Sequence, residues 1–150
     1  MLKRIRIIPA RETDLPSIKL LLEELMEVME DTAGFDLEQS VNNIHKLMQD
    51  PAHHMLVARD QSNILGLVNF TTRKTIMHPG PSGLIDELVV TKTSRGSGIG
   101  KQLILAAVDK CRELGCCEVE VSTEKSNKHA RKFYGTLGFE ETAVFLELDL

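Results

Sequence analysis

The stretch Ile85-Asp86-Glu87-Leu88-Val89-Val90 runs on through Thr91-Lys92-Thr93-Ser94 into Arg95-Gly96-Ser97-Gly98-Ile99-Gly100-Lys101. Its first part, from Leu84 to Val90, is an apolar, β-branched run with the character of a strand. Beyond the glycines, Ile99, Leu103, Ala107 and Cys111 recur at helical spacing, and Gly115 follows as a stop. Gly98 to Leu114 therefore reads as a helix that begins in glycine. A helix start leaves backbone N–H groups unpaired and carries partial positive charge. Glycine lets an anion approach those groups closely. The arrangement predicts a phosphate or pyrophosphate site in preference to a surface turn that merely needs glycine.

Working outward, Cys117 to Thr123 alternates Val119 and Val121 with acids and reads as a second strand. Two parallel strands linked by a helix need a crossover, nearly always right-handed. Asn127 to Leu137 reads as a helix with Ala130, Phe133, Tyr134 and Leu137 on one side and Gly138 after it. Thr142 to Leu150 reads as a last strand. Upstream, Ile5 to Pro9 is a short strand. Thr13 or Asp14 caps a helix that tolerates Pro16 and carries the stripe Leu15, Ile18, Leu21, Leu22, Leu25 and Met29. Asp36 with Gln39 resembles a capping box ahead of a second helix that buries Val41, Ile44, Leu47 and Met48. Met55 to Arg59 and Ile64 to Arg73 are strands joined by the turn Asp60-Gln61-Ser62-Asn63, and His78-Pro79-Gly80-Pro81 is another turn. The order predicts an α/β protein, with a mixed central β-sheet flanked by helices on both faces, in one domain spanning residues 1–150.

Composition bounds the function. At 150 residues the chain fits a single domain. With 42% apolar and 27% charged residues it has the balance of an ordinary globular protein. A net charge of -4 argues against non-specific nucleic-acid binding and favours cationic partners. No apolar run is long enough to span a bilayer, and Met1 to Pro9 is too short and too charged for a signal peptide. The expected location is the cytoplasm, with no membrane or nucleic-acid partner. Cys111, Cys116 and Cys117 are expected as reduced thiols, since an odd number does not make a disulfide framework and neighbours bridge only under strain.

Two familiar phosphate motifs fit poorly. In a P-loop four residues separate the first Gly from Gly-Lys; here Gly96 lies one residue too near Gly100-Lys101, and Gln102 stands where a hydroxyl is needed. In a dinucleotide fingerprint Lys101 would occupy the third glycine position, and a second mononucleotide half is lacking.

Arg95-Gly96-Ser97-Gly98-Ile99-Gly100 does resemble the Q/R-x-x-G-x-G/A pattern of the GNAT N-acetyltransferases, and it follows a strand as in that family. Asn127, Ala130, Phe133-Tyr134 and Leu137-Gly138-Phe139 resemble the second half of the family's cofactor-binding region. The resemblance is strong from Leu84 to Phe139 and rests on element order before Met55. It implies a GNAT-like fold and transfer of an acetyl group from acetyl-CoA to a primary amine of a small molecule, by direct attack in a ternary complex without a metal. It further implies that backbone groups of Leu88, Val89 and Val90 pair with the pantetheine arm, admitted where two parallel strands, one ending at Val90 and the other starting at Cys117, splay apart. Arg95, Gly96, Ser97, Gly98, Ile99, Gly100 and Lys101 would bind the pyrophosphate, and Asn127 would contact the arm. A homodimer is the assembly it implies.

The catalytic candidates are Glu87 and Tyr134. An attacking amine must lose a proton, and the leaving thiolate gains stability when it receives one. A phenol is neutral at pH 7 and can donate; periodicity alone favours a core aromatic at Tyr134, but it is the one tyrosine and falls on the catalytic position that the resemblance implies, which favours the acid. Asp86 and Glu87 point to opposite faces of a regular strand, and the family position favours Glu87 as base, directly or through a water, set against a solvated carboxylate. Partial burial would raise its pKa toward the working range. A backbone N–H near Val89 would serve the oxyanion. His53, His54 and His45 read as ordinary exposed side chains, not metal ligands. His78 is a candidate for the acceptor pocket. Glu23, Glu24, Glu27, Glu30 and Asp31 read as a solvated acidic helix face that could also attract a cation. The competing readings are a protein N-terminal or lysine acetyltransferase, a non-catalytic acyl-CoA sensor of the same fold, and a nucleotide-dependent enzyme. The presence of both Glu87 and Tyr134 favours a catalyst.

Overall fold

The computed structural model describes residues 4–29 and 31–150. The chain forms two compact units, Met1–Glu120 and Val121–Leu150. The first begins with β1 (Ile5–Pro9), α1 (Leu15–Val28) and α2 (Leu37–Leu47). Three strands follow, β2 (His53–Asp60), β3 (Asn63–Arg73) and β4 (Ser82–Val90), then α3 (Ile99–Glu113) and β5 (Glu118–Val121), whose last residue begins the second unit. The second unit carries α4 (Lys128–Thr136). The sheet order is β1-β2-β3-β4-β5, and the first four strands pair antiparallel. The α3 connection between the neighbours β4 and β5 is the crossover that a parallel pair requires. Among the described residues no helix is long and apolar enough to cross a membrane.

Local chemistry explains the helix ends. Asp14 is the N-cap of α1, with Pro16 in the first turn, and its Oδ2 accepts from Arg11 N at 2.9 Å. Asp36 caps α2 by accepting from Glu38 N at 3.0 Å and Gln39 N at 3.2 Å. Asp14 is also buried against Arg59 of β2 in an ion pair that ties the start of α1 to the sheet.

The two faces of the sheet bury different helices. Ile18, Leu21 and Leu22 of α1 and Ile44 of α2 pack with Met55, Val57, Leu67 and Val89 in one cluster. Gly66, the neighbour of Leu67, faces the other way. A Cβ there would lie 3.0 Å from Leu103 and 3.4 Å from Ile99, both of α3. Helices thus cover both faces, as the patterning predicts.

Two departures from a regular ladder matter. Asn69 pairs with Glu87 while Phe70 pairs with Ile85, so Asp86 is an extra residue in β4. This bulge breaks the strict alternation from which Asp86 and Glu87 are expected on opposite faces. The expected strand from Thr142 to Leu150 does not form: residues 140–150 are exposed and carry no regular element. Val144, Leu146 and Leu148 alternate as a strand should, but a strand exists only with a hydrogen-bonded neighbour.

Candidate active site

The end of β4 and the start of α3 carry the candidates of the first unit. Gly66, Leu67 and Val68 of β3 pair with Val90, Val89 and Leu88, so one edge of this segment is fixed. On the other side, the sheet is closed near the beginning of β4, where Cys117 N donates to Pro81 O at 2.9 Å and Ser82 Oγ to Glu118 Oε1 at 3.0 Å. From there β4 runs to Val90, whereas β5 is only four residues long. The Leu88–Val90 segment therefore extends past its short partner.

Beyond Val90 the chain is pinned before it reaches the glycines. Thr91 N donates to Leu65 O at 2.8 Å, and Arg95 Nε donates to Val90 O at 3.1 Å. Glu24 of α1 accepts from Thr91 Oγ1 at 3.0 Å and from Lys92 N at 2.8 Å, and Lys92 Nζ pairs with Glu27. Glu24 is thus a partner of the segment and not a plain solvated acid, whereas Glu23, Glu27 and Asp31 are exposed, as the reading of that face expects; Glu30 lies outside the described residues. Gly96 and Gly98 adopt φ of 76° and 85°, the left-handed region that favours glycine. A Cβ at either would meet nothing within 4 Å, so both open onto free space. Gly98 is the N-cap of α3 and makes no side-chain cap; the helix ladder starts with Gln102 N donating to Gly98 O at 3.1 Å. The N–H groups of Ile99, Gly100 and Lys101 precede that first bond, and Ile99 is buried, which anchors them.

Glu87 lies on the face occupied further along by α1 and α2, since it alternates with Val89, a member of that cluster. Its Oε2 accepts from Asn69 Nδ2 at 2.7 Å. Burial pushes its carboxyl above the usual range, the nearby Asp86 carboxylate adds to that, and the Asn69 hydrogen bond and His53 oppose it. Asp86 is raised by burial too, opposed by His53. His53 and His54 are half-buried rather than exposed. His53 Nδ1 lies 3.2 Å from Asp50 Oδ2, while the His54 ring stacks on Phe70 with centroids 5.0 Å apart. His78 is held by Thr75 Oγ1 at 2.6 Å and Glu118 Oε1 at 3.1 Å, and with Lys74 and Pro79 to Pro81 it lines a shallow cleft. Among the described residues no three His, Cys, Asp or Glu come together as a metal site requires.

The second unit holds the other two candidates. Asn127 caps α4, its Oδ1 accepting from Ala130 N at 3.0 Å. Tyr134 packs edge-on against Phe133 and Phe139, with centroids 5.1 Å and 5.7 Å away. Burial raises its phenol above the ordinary value, which keeps it protonated at neutral pH. Arg131 grips Glu141 at 2.7 Å and 3.1 Å.

Residues 17–139 match the model of the acetyltransferase (GNAT) family. The aminoalkylphosphonate N-acetyltransferase of Salmonella typhimurium is 28% identical over 133 residues, covering 89% of this chain and 83% of that protein. The N-alpha-acetyltransferase MAK3 of Arabidopsis thaliana is 47% identical over 57 residues, 38% of this chain and 30% of that protein. In fold, the chain superposes with a TM-score of 0.86 on an aminoglycoside N-acetyltransferase in complex with CoA, at 20% identity, covering 100% of this chain and 97% of that one. The family model covers most of the chain, and the architecture agrees with it: this protein belongs to the acetyltransferase (GNAT) family and is an enzyme of the acyltransferase class.

Proposed function

We propose that the chain transfers an acetyl group from acetyl-CoA to a primary amine of a small molecule, by direct attack within a ternary complex. The observation that carries the reading is Glu87, a half-buried carboxylate with a raised pKa, on the same strand that leads into the glycine segment. The match along most of a small-molecule amine acetyltransferase supports this acceptor class, and an aminoalkylphosphonate is the first acceptor to test.

The residues suit the donor. The N–H groups from Arg95 to Lys101, opening onto free space at Gly96 and Gly98, are the cradle for its pyrophosphate. The backbone of Leu88, Val89 and Val90 is the edge for its arm, and Asn127 adds a polar contact. Glu87 takes a proton from the ammonium, and the freed nitrogen lone pair forms the amide bond as the carbon–sulfur bond breaks. Tyr134 gives its proton to the departing sulfur. Solvent then reprotonates Tyr134 and accepts the protons from Glu87 and from the new amide nitrogen, so one proton is released per turnover. One positioned acid or base is worth roughly 10²–10⁴ in rate.

The test is the pH–rate profile of Glu87→Gln against the parent, over a panel of primary amines. The substitution should cost most near neutral pH, where the amine is mostly protonated, and less at high pH. An unchanged profile shape removes Glu87 as the proton acceptor.

A further inference from the structure

Between β4 and the glycines the chain makes one 3₁₀ turn, Lys92–Ser94, closed by Ser94 N donating to Thr91 O at 2.9 Å. The first N–H groups of such a turn find no partner inside it, and the residue before it commonly caps them with its own side chain. Thr91 holds that place but makes no side-chain cap. The cap comes from another element. Glu24 of α1 accepts from Lys92 N at 2.8 Å through Oε2 and from Thr91 Oγ1 at 3.0 Å through Oε1. Glu24 lies one turn beyond Leu21, which packs with Val89 in the core, so the helix that covers the end of β4 also aims this carboxylate at the turn. The turn is in turn the upstream anchor of the glycines: its last carbonyl, Ser94 O, accepts from the hydroxyl of Ser97, which stands between Gly96 and Gly98. No neighbour lies on the Cβ side of either glycine, and the stretch is held at its ends, by Ser97 through the turn and by buried Ile99.

We propose that Glu24 is a positioning residue for the donor's pyrophosphate: by capping the Lys92–Ser94 turn from α1, it fixes the glycine segment in its binding conformation before the donor arrives. This rests on the reading of Arg95 to Lys101 as the pyrophosphate cradle. A segment ordered in advance spares the ligand the entropy of ordering it. The charge of Glu24 works in the opposite direction, since a carboxylate near an anion site repels the anion. Lys92 Nζ, the nearest compensating cation, is turned back to Glu27 of α1. Geometry and charge thus predict opposite signs when Glu24 is replaced. Glutamine separates them: its amide oxygen can accept from Lys92 N, and its amide N–H can donate to the Thr91 hydroxyl, which serves as donor or acceptor.

The test is calorimetry on the full chain with CoA and, as the ligand without a pyrophosphate, acetyl-pantetheine. Glu24→Leu removes both bonds and should weaken CoA about tenfold, the cost of ordering roughly one residue on binding instead of beforehand. Its affinity for acetyl-pantetheine should stay that of the parent. Glu24→Gln should recover CoA binding to the parent level or better. Thr91→Val, which removes one of the two bonds, should weaken CoA by a smaller factor and serves where the leucine variant does not fold. CoA affinity at or above the parent's in the folded leucine or valine variant overturns the proposal. Equal losses for the two ligands also overturn it, because they mark a general loss of structure. A glutamine variant as weak as the leucine one overturns the capping geometry. Failure of the cradle reading shows elsewhere, as CoA binding retained in Gly98→Val; loss there with no loss in Glu24→Leu sinks the role of Glu24 alone.

Discussion

Replacing Gly98 by valine separates a structural role of the glycine segment from a ligand-binding one. Gly98 has φ of 85°, and a Cβ there meets no atom within 4 Å. The cost in the free protein is therefore conformational and not a collision. A β-branched residue held in the left-handed region costs about 1–3 kcal/mol. For a chain of this size that lowers the melting temperature by roughly 4–8 °C at about 2 kcal/mol. Binding should suffer separately, because the new side chain fills the space through which an anion would reach the N–H groups of Ile99 to Lys101. Loss of one charged hydrogen bond, at about 1.5–3 kcal/mol, corresponds to roughly a 10–100-fold weaker Kd. Thermal unfolding without ligand gives the first number, and calorimetry with CoA the second. Acetyl-pantetheine, which lacks the pyrophosphate, is the control and should bind both proteins alike. A Gly98→Val protein that melts lower yet binds CoA like the parent refutes the pyrophosphate site. Equal losses for CoA and acetyl-pantetheine would place the damage elsewhere.

Other outcomes follow from particular contacts. Tyr134→Phe keeps the ring on Phe133 and Phe139, so kcat should fall by roughly 10²–10⁴ with melting temperature and CoA affinity unchanged; near-normal turnover would mark a packing residue. Burial raises Glu87, and the base must be ionised, so kcat/KM of the parent should fall with decreasing pH at a point above the ordinary glutamate value of about 4.3; an acidic limb at or below that value contradicts the burial. Asp14→Ala removes the partner of the largely covered Arg59 and the bond from Arg11 N, and should cost about 3 kcal/mol by denaturant unfolding. Cys111 is buried and its thiol is pushed up to about 12, first by burial and then by Cys116, so at neutral pH iodoacetamide should modify exposed Cys117 well before it.

The central part of the fold was legible because Leu84 to Leu137 combines strand, glycine turn and helix patterns whose periods do not overlap. Helices on Ile18, Leu21 and Leu22 and on Ile44 were equally plain from spacing and caps. What periodicity could not show is where pairing slips. The extra residue at Asp86 depends on how β4 lies against β3, not on the composition of β4. Glu24 looked like one acid among several on a polar helix face; only the packing of α1 against the end of β4 turns it toward Thr91 and Lys92. The Val144–Leu148 alternation gave a strand signal without stating a partner. Asn69 had a usable signal, a lone amide inside the apolar run Ile64 to Phe70, which a search for buried polar residues in strands would find.

Acetyl transfer itself is the most direct measurement. The purified protein is incubated with acetyl-CoA and a panel of small primary amines that includes an aminoalkylphosphonate. Product is identified by mass spectrometry and free CoA thiol is measured in parallel. N-acetylated amine should form in equal amounts with thiol and should be lost in Glu87→Gln near neutral pH. Acetyl-CoA that binds but is consumed with no amine on the panel, while thiol release stays at the uncatalysed rate, would contradict small-molecule amine acetylation and leave a protein acceptor or a non-catalytic acyl-CoA-binding role.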